Sequence, residues 1–166
     1  MSIADAVSAA SRYLSEHPDE ARYRDSSARA HLTSGLAVEV TGPGGERLVT
    51  DMPRAIGGAA SAPSPGWMLR AAAAACVASL IAIRAAATGV GIGPVEVEVD
   101  SESDDRGILG LDAAIAAGAL SIRVAVSIDA PGVDRSTVQA LVEWEVKHCP
   151  VTDTIARAVP ISIEVP

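Results

Sequence analysis

Residues 64–80 read SPGWMLRAAAAACVASL, and the way this stretch folds decides the rest of the chain. Ser64 offers a side-chain oxygen to the free N–H groups of a first helical turn, and Pro65 brings its fixed φ to the first helical position. No helix breaker follows until Gly89, so the spacing predicts a helix from Pro65 to about Thr88 that stops at Gly89. Alanines 71–75 leave one face of that helix almost bare of side chain, which lets another helix or a sheet come close. A long, central, buried helix is the expectation, with Cys76 about eleven residues inside it.

Outward from this helix the chain alternates between strand and helix signals. Residues 3–16 carry Ile3, Val7, Ala10 and Leu14 on one stripe and end before His17-Pro18, which predicts a short amphipathic helix. The acidic stretch Glu16 to Asp25 and the serines after it read as a linker, so residues 1–27 form an extension and 28–166 the domain proper. Ala28 to Thr33 and Leu36 to Val40 read as strands, and Pro43-Gly44-Gly45 turns the chain into a third, Arg47 to Asp51. Residues 53–65 form a loop rich in Gly, Ala, Ser and Pro.

Beyond the long helix, Val95, Val97 and Val99 alternate with Glu96 and Glu98 in a half-exposed strand. Asp100 to Gly118 reads as an acidic loop, and Leu120 to Ile128 as another alternating strand. Asp134 can cap a second helix from Arg135 to about His148, which Cys149-Pro150 interrupts. A short helix, Val151 to Ala158, and an edge strand, Ile161 to Val165, complete the reading. Runs of strands punctuated by two substantial helices define an α+β class with antiparallel sheet.

Composition narrows the function. The 166 residues are 49% hydrophobic but only 2% aromatic, with no Phe, so the core is built from Ala, Val, Ile and Leu. A net charge of −8 with two Trp and two Tyr offers neither a basic face for phosphates nor rings for stacking bases, which excludes nucleic acid as a partner class. The N-terminal segment lacks the basic start and apolar run of a secretory signal. The apolar run from Ala71 to Ile83 falls short of the roughly 18 residues of a membrane span. A soluble cytoplasmic protein is expected, with no membrane partner. Two distant cysteines in that compartment point to a transient, catalytic or sensing pair rather than a permanent staple.

Other motifs fall away. Gly89-Val90-Gly91-Ile92-Gly93 follows a helix and leads into a strand, the reverse of a dinucleotide fingerprint. DSESDDRGILGL, residues 100–111, has Asp105 and Leu111 where a calcium loop needs Gly and Glu. His148-Cys149 lacks the partner spacing of a zinc site, and no G-x-S-x-G elbow is present. No metal or cofactor is expected.

The two cysteines differ in setting. Cys76 lies too deep in its helix for the N-terminal dipole to lower its pKa. Taken alone, on an alanine face, it reads as a small buried hydrophobe, and a thiolate there needs a cation brought by another segment. Pro150 pushes Cys149 out of the α region and into an N-cap position, where free N–H groups can stabilise a thiolate. A plain break between two helices is the alternative.

The stretches IGGAASAPSPGWMLRAAAAAC (56–76) and VEWEVKHCPVTDTIARAVPISIEV (142–165), with DDRGILG between the strands, resemble the OsmC/Ohr family of thiol peroxidases. The resemblance covers about residues 28–166. It implies an intertwined homodimer, with antiparallel sheets packed around the long Ala-rich helix and a second helix. It also implies reduction of organic hydroperoxides without metal or flavin. Carried over, Cys76 is the peroxidatic thiol and passes through a sulfenic acid, Cys149 resolves it as a disulfide, and an external dithiol recycles the pair. The peroxidase branch places a glutamate after the helix-starting proline, paired with an arginine that holds the thiolate; this chain has Gly66 there. Arg29 is the preferred arginine and Arg24 the alternative, with Arg54 and Arg70 further candidates and Glu143 or Glu145 as substitutes for the acid. The Gly66 departure keeps a second reading open, a non-catalytic redox-sensing or small-molecule-binding dimer of the same fold.

Overall fold

The computed structural model describes residues 1–165. Its elements run α1 (Ile3–Glu16), β1 (Arg29–Ser34), β2 (Ala37–Thr41), β3 (Arg47–Thr50), α2 (Pro65–Thr88), β4 (Val95–Glu102), α3 (Asp105–Ile108), β5 (Ser121–Ile128), α4 (Arg135–His148) and α5 (Pro150–Ala156). The chain divides into two compact units. One comprises Met1–Ala10 and the chain from Ala72 onward, the other Ser11–Ala71.

In the Ser11–Ala71 unit, β1, β2 and β3 form an antiparallel meander. Arg29 pairs with Thr41 and Val38 with Thr50 at its two seams, and a register shift between Leu32 and Ser34 marks the tight β1–β2 turn. The loop from β3 to α2 is folded onto a single side chain. Asp51 is 1% exposed and accepts hydrogen bonds from the N–H groups of Met52 (2.7 Å), Ala59 (3.1 Å) and Ser61 (3.0 Å) and from the Ser61 hydroxyl (2.8 Å). Gly58 is required where the loop doubles back, because a Cβ there would stand 1.8 Å from the Met52 carbonyl oxygen. Ser64 then caps α2, its Oγ accepting from the Trp67 N–H at 3.2 Å.

In the other unit, β4 and β5 pair antiparallel from Val95↔Ile128 to Glu102↔Ser121, which sets Val97 opposite Val126. The core is the stripe Ala73, Val77, Ile81 and Ala85 of α2, each at most 1% exposed. Around Val77, Ile81 and Cys149 pack Val95, Val97, Val126 and Ile128 of the strands together with Val142 of α4 and Val151 of α5. Arg84 sits 4.9 Å from the centroid of Trp144, and Trp144 stacks on His148 at 4.1 Å, a cation–π stack that ties α2 to α4.

Three expectations need correction. The segment Ile161 to Val165 is not a strand, and Ile161, Ile163 and Val165 stand 86–89% exposed. Its alternation is real, but no strand among the described residues pairs with it. The region after Val99 is not all loop, because Ser101 and Glu102 still pair with Ile122 and Ser121, and Asp104 caps the short α3 by accepting from the Arg106 N–H at 3.0 Å. Finally, α2 spans 24 residues and is long and apolar enough to cross a membrane by length and composition. Its apolar stripe instead forms the core of its unit.

Candidate functional site

Cys76 lies on α2, one position before the buried Val77, and is half-buried; Cys149 is 0% exposed at the junction where α4 ends and α5 begins. Pro150 causes that junction. It holds Cys149 at φ −72°, ψ 113°, outside the helical region, while the Cys149 N–H still closes α4 onto the Glu145 carbonyl at 2.9 Å. The bend turns the Cys149 side chain into the core against α2. Both cysteines are free thiols.

The two thiols and one carboxyl form a hydrogen-bonded row. Cys76 bonds to Cys149, and Cys149 in turn bonds to the carboxyl of Glu145, one helical turn earlier on α4. The Val151 N–H, in the first turn of α5, donates to the Cys76 sulfur. Burial pushes the Cys76 thiol above its ordinary value, the Cys149 contact and the nearby Glu145 charge add to this, and the Val151 N–H opposes it. Glu145 is 2% exposed, and its Oε1 is buried with no hydrogen-bond partner. Burial raises its pKa, against the bond from Cys149. A cavity of about 300 Å³ opens at the Glu145 end of the row, walled by five valines (Val77, Val124, Val126, Val142 and Val146) and Ala156, with Glu145, Thr152 and Asp153 as its polar lining.

The structure therefore brings Cys76, Cys149 and Glu145 together. Among the described residues of their unit, no cation is among the groups acting on Cys76. Arg29 belongs to the other unit, exposed at the start of β1 in a cleft with Ser27, Thr41, Gly42 and Pro43. Arg24 lies in the exposed connection before it, and Arg54 starts a 3-10 turn. Gly66 is in the first turn of α2, where a Cβ would meet only Arg70 Nη1 at 3.9 Å and Ser64 Oγ at 4.0 Å. Sequence reasoning missed Asp51, whose sole signal was an acid closing a strand just before a Gly-Gly loop. It held Glu145 only as one substitute acid of two; Glu143 is exposed and accepts from Gln139 at 2.9 Å.

Fold and site together define an α+β protein with a half-buried and a buried thiol at the meeting of its long helix and a proline-broken helix. The profile of the OsmC-like protein family matches residues 58–164, and the chain belongs to that family. Among solved structures it is similar to an organic hydroperoxide resistance protein OsmC, a predicted redox protein, from Legionella pneumophila: 24% identity, 81% of this chain and 90% of that one, TM-score 0.60. The OsmC-like protein of Mycoplasma pneumoniae matches at 16% identity over 81% and 89% of the chains, TM-score 0.69. The organic hydroperoxide resistance protein OhrB of Bacillus subtilis matches at 21% identity over 78% and 89%, TM-score 0.52. At these identities the likeness concerns the fold. No curated protein matches in sequence.

Proposed function

We propose that this chain is a thiol peroxidase that reduces organic hydroperoxides through Cys76 and Cys149. The Cys76 thiolate attacks a peroxide oxygen; an S–O bond forms, the O–O bond breaks, the alcohol leaves and Cys76 becomes a sulfenic acid. Cys149 then attacks that sulfur, an S–S bond forms and water departs. An external dithiol returns the pair to thiols by exchange. The observation that carries this reading is the contact between two cysteines 73 positions apart, the half-buried one on the long helix and the wholly buried one behind it. The valine-walled cavity favours organic peroxides over hydrogen peroxide.

Arg29, with Arg24 as the alternative, is the guanidinium proposed to hold the Cys76 thiolate. The exposed, alternating Ile161, Ile163 and Val165 support a homodimer in which a second copy covers them. A cytoplasmic setting suits a pair that must cycle through thiols, and neither metal nor flavin enters any step.

A second reading is favoured by the upward push on the Cys76 thiol together with Gly66: a redox-sensing dimer that oxidises without rapid turnover. Stopped-flow consumption of cumene hydroperoxide with excess dithiol separates the two. The peroxidase reading expects continuous turnover, lost in Cys76→Ser. No turnover, or turnover unchanged in that variant, overturns it.

A further inference from the structure

We propose that Glu145 is the base that takes the Cys149 proton when Cys149 closes onto oxidised Cys76. The inference rests on the peroxidase reading for the identity of the oxidant, but its geometry stands apart from it.

Glu145 has no structural partner to account for its burial. It forms no ion pair with any described residue, Oε1 has no hydrogen-bond partner among them, and the Cys149 thiol is the side chain that bonds to its carboxyl. A methionine or leucine would fill the same space without desolvating a carboxyl. What the glutamate adds is an acceptor on the one thiol that has to lose a proton at the second step. Burial raises the affinity of that acceptor for a proton, which makes it a stronger base than an exposed carboxylate.

The other titratable groups facing this point are accounted for. Cys76 on α2 is the electrophile once oxidised. Asp153 on α5 lines the same cavity but is ion-paired to Arg157 at 2.6 Å. The β5 side is Val124 and Val126. Among the described residues lining this cavity, Glu145 is the carboxylate left to accept.

The step balances. The Cys149 sulfur forms the S–S bond, the S–O bond of the Cys76 sulfenic acid breaks, and the Cys149 proton moves to Glu145. The departing hydroxide takes that proton and leaves as water, so Glu145 ends as it began. The hydroperoxide, already consumed in forming the sulfenic acid, is the oxidant.

The test compares wild type with Glu145→Gln, which keeps shape and loses basicity, and with Glu145→Asp, which keeps a carboxyl and covers the case in which the glutamine variant folds badly. Single-turnover mixing with cumene hydroperoxide reads sulfenic acid by trapping and disulfide by thiol loss. Sulfenic acid formation is expected to be no slower than wild type in Glu145→Gln, which removes a charge that pushes the Cys76 thiol up, with disulfide closure slowed about 100-fold and partly recovered in Glu145→Asp. In the glutamine variant the closure rate should rise more steeply with hydroxide concentration than in wild type, because solvent then has to take the proton that Glu145 accepts.

Diamide supplies a second oxidant that needs no peroxide chemistry. It forms an adduct on Cys76, which Cys149 then displaces. Closure slowed with diamide while peroxide yields no sulfenic acid supports Glu145 and overturns the peroxidase reading. Closure unchanged with both oxidants, or slowed no more than sulfenic acid formation, overturns the role of Glu145.

Discussion

Among the described residues two carboxyl groups are buried, one in each compact unit, and they are treated in opposite ways. Asp51 is 1% exposed and accepts four hydrogen bonds; Glu145 is 2% exposed and has an oxygen that accepts none. The Ser61 N–H and hydroxyl, followed by the N–H groups of Met52 and Ala59, hold Asp51 below the usual carboxylate range. Burial holds Glu145 above it. A satisfied buried charge organises backbone, here the loop that delivers the chain to α2. A starved one is an invitation to a proton, and it lies against the thiols. The contrast separates a hydrogen-bonded anchor from a carboxyl left without a full set of partners.

The two should come apart under mutation. Cys76→Ser is expected to abolish peroxide turnover, by at least about 1000-fold, with little change in melting temperature; calorimetry and the dithiol-coupled assay read both. Asp51→Ala should do the reverse. It strips the Ala59 and Ser61 N–H groups of their acceptor and should lower the melting temperature by about 5–10 °C, leaving the thiols reactive. Equal effects of both variants on both readouts would dissolve the comparison.

Next in size is the pH dependence of stability, and the signs oppose. Asp51 binds its proton less tightly when folded, so its contribution is present above the ordinary aspartate range and is lost as pH falls through its lowered pKa. Glu145 binds its proton more tightly when folded, so its contribution is present at acid pH and is lost as pH rises from the ordinary glutamate range through its raised pKa. Melting curves between pH 3 and 8 should therefore lose their acid-side slope in Asp51→Ala and their rising-pH loss in Glu145→Gln.

Legibility followed the physics of each signal. The bounds of α2 and α4 could be read because Ser64-Pro65, Gly89 and Asp134 act locally, within one turn of the residue they control. Asp134 accepts from the Thr137 N–H at 2.8 Å, and its neighbours Ser136 and Thr137 draw its pKa down to about 2. The failure at Ile161 to Val165 was of another kind. Alternation reports which side chains share a face, but a strand also needs a ladder partner, and partners are written elsewhere. Glu145 shows the same limit: its spacing of four from Cys149 was visible, while its burial depends on Val77 and β5, far off in sequence. Asp51 was hidden because its donors follow it in a loop with no period at all.

Two smaller effects sharpen the account. Gly66→Glu has room for its Cβ and replaces a glycine in a first helical turn with an acid, which should stabilise the fold by about 0.5–1 kcal/mol. Under the peroxidase reading it should also speed Cys76 oxidation several-fold by restoring the family's acid, measured by stopped flow. Asp134→Ala removes a cap far from the thiols. It should lower the melting temperature by a few degrees and leave turnover alone.

The most direct measurement is the fate of the two sulfurs after one equivalent of cumene hydroperoxide, read by mass mapping of alkylated peptides. The account predicts loss of both thiols to a single Cys76–Cys149 disulfide within one chain, and a trapped sulfenic acid on Cys76 alone in Cys149→Ser. Two free thiols after exposure, or oxidation beginning at Cys149, would contradict it.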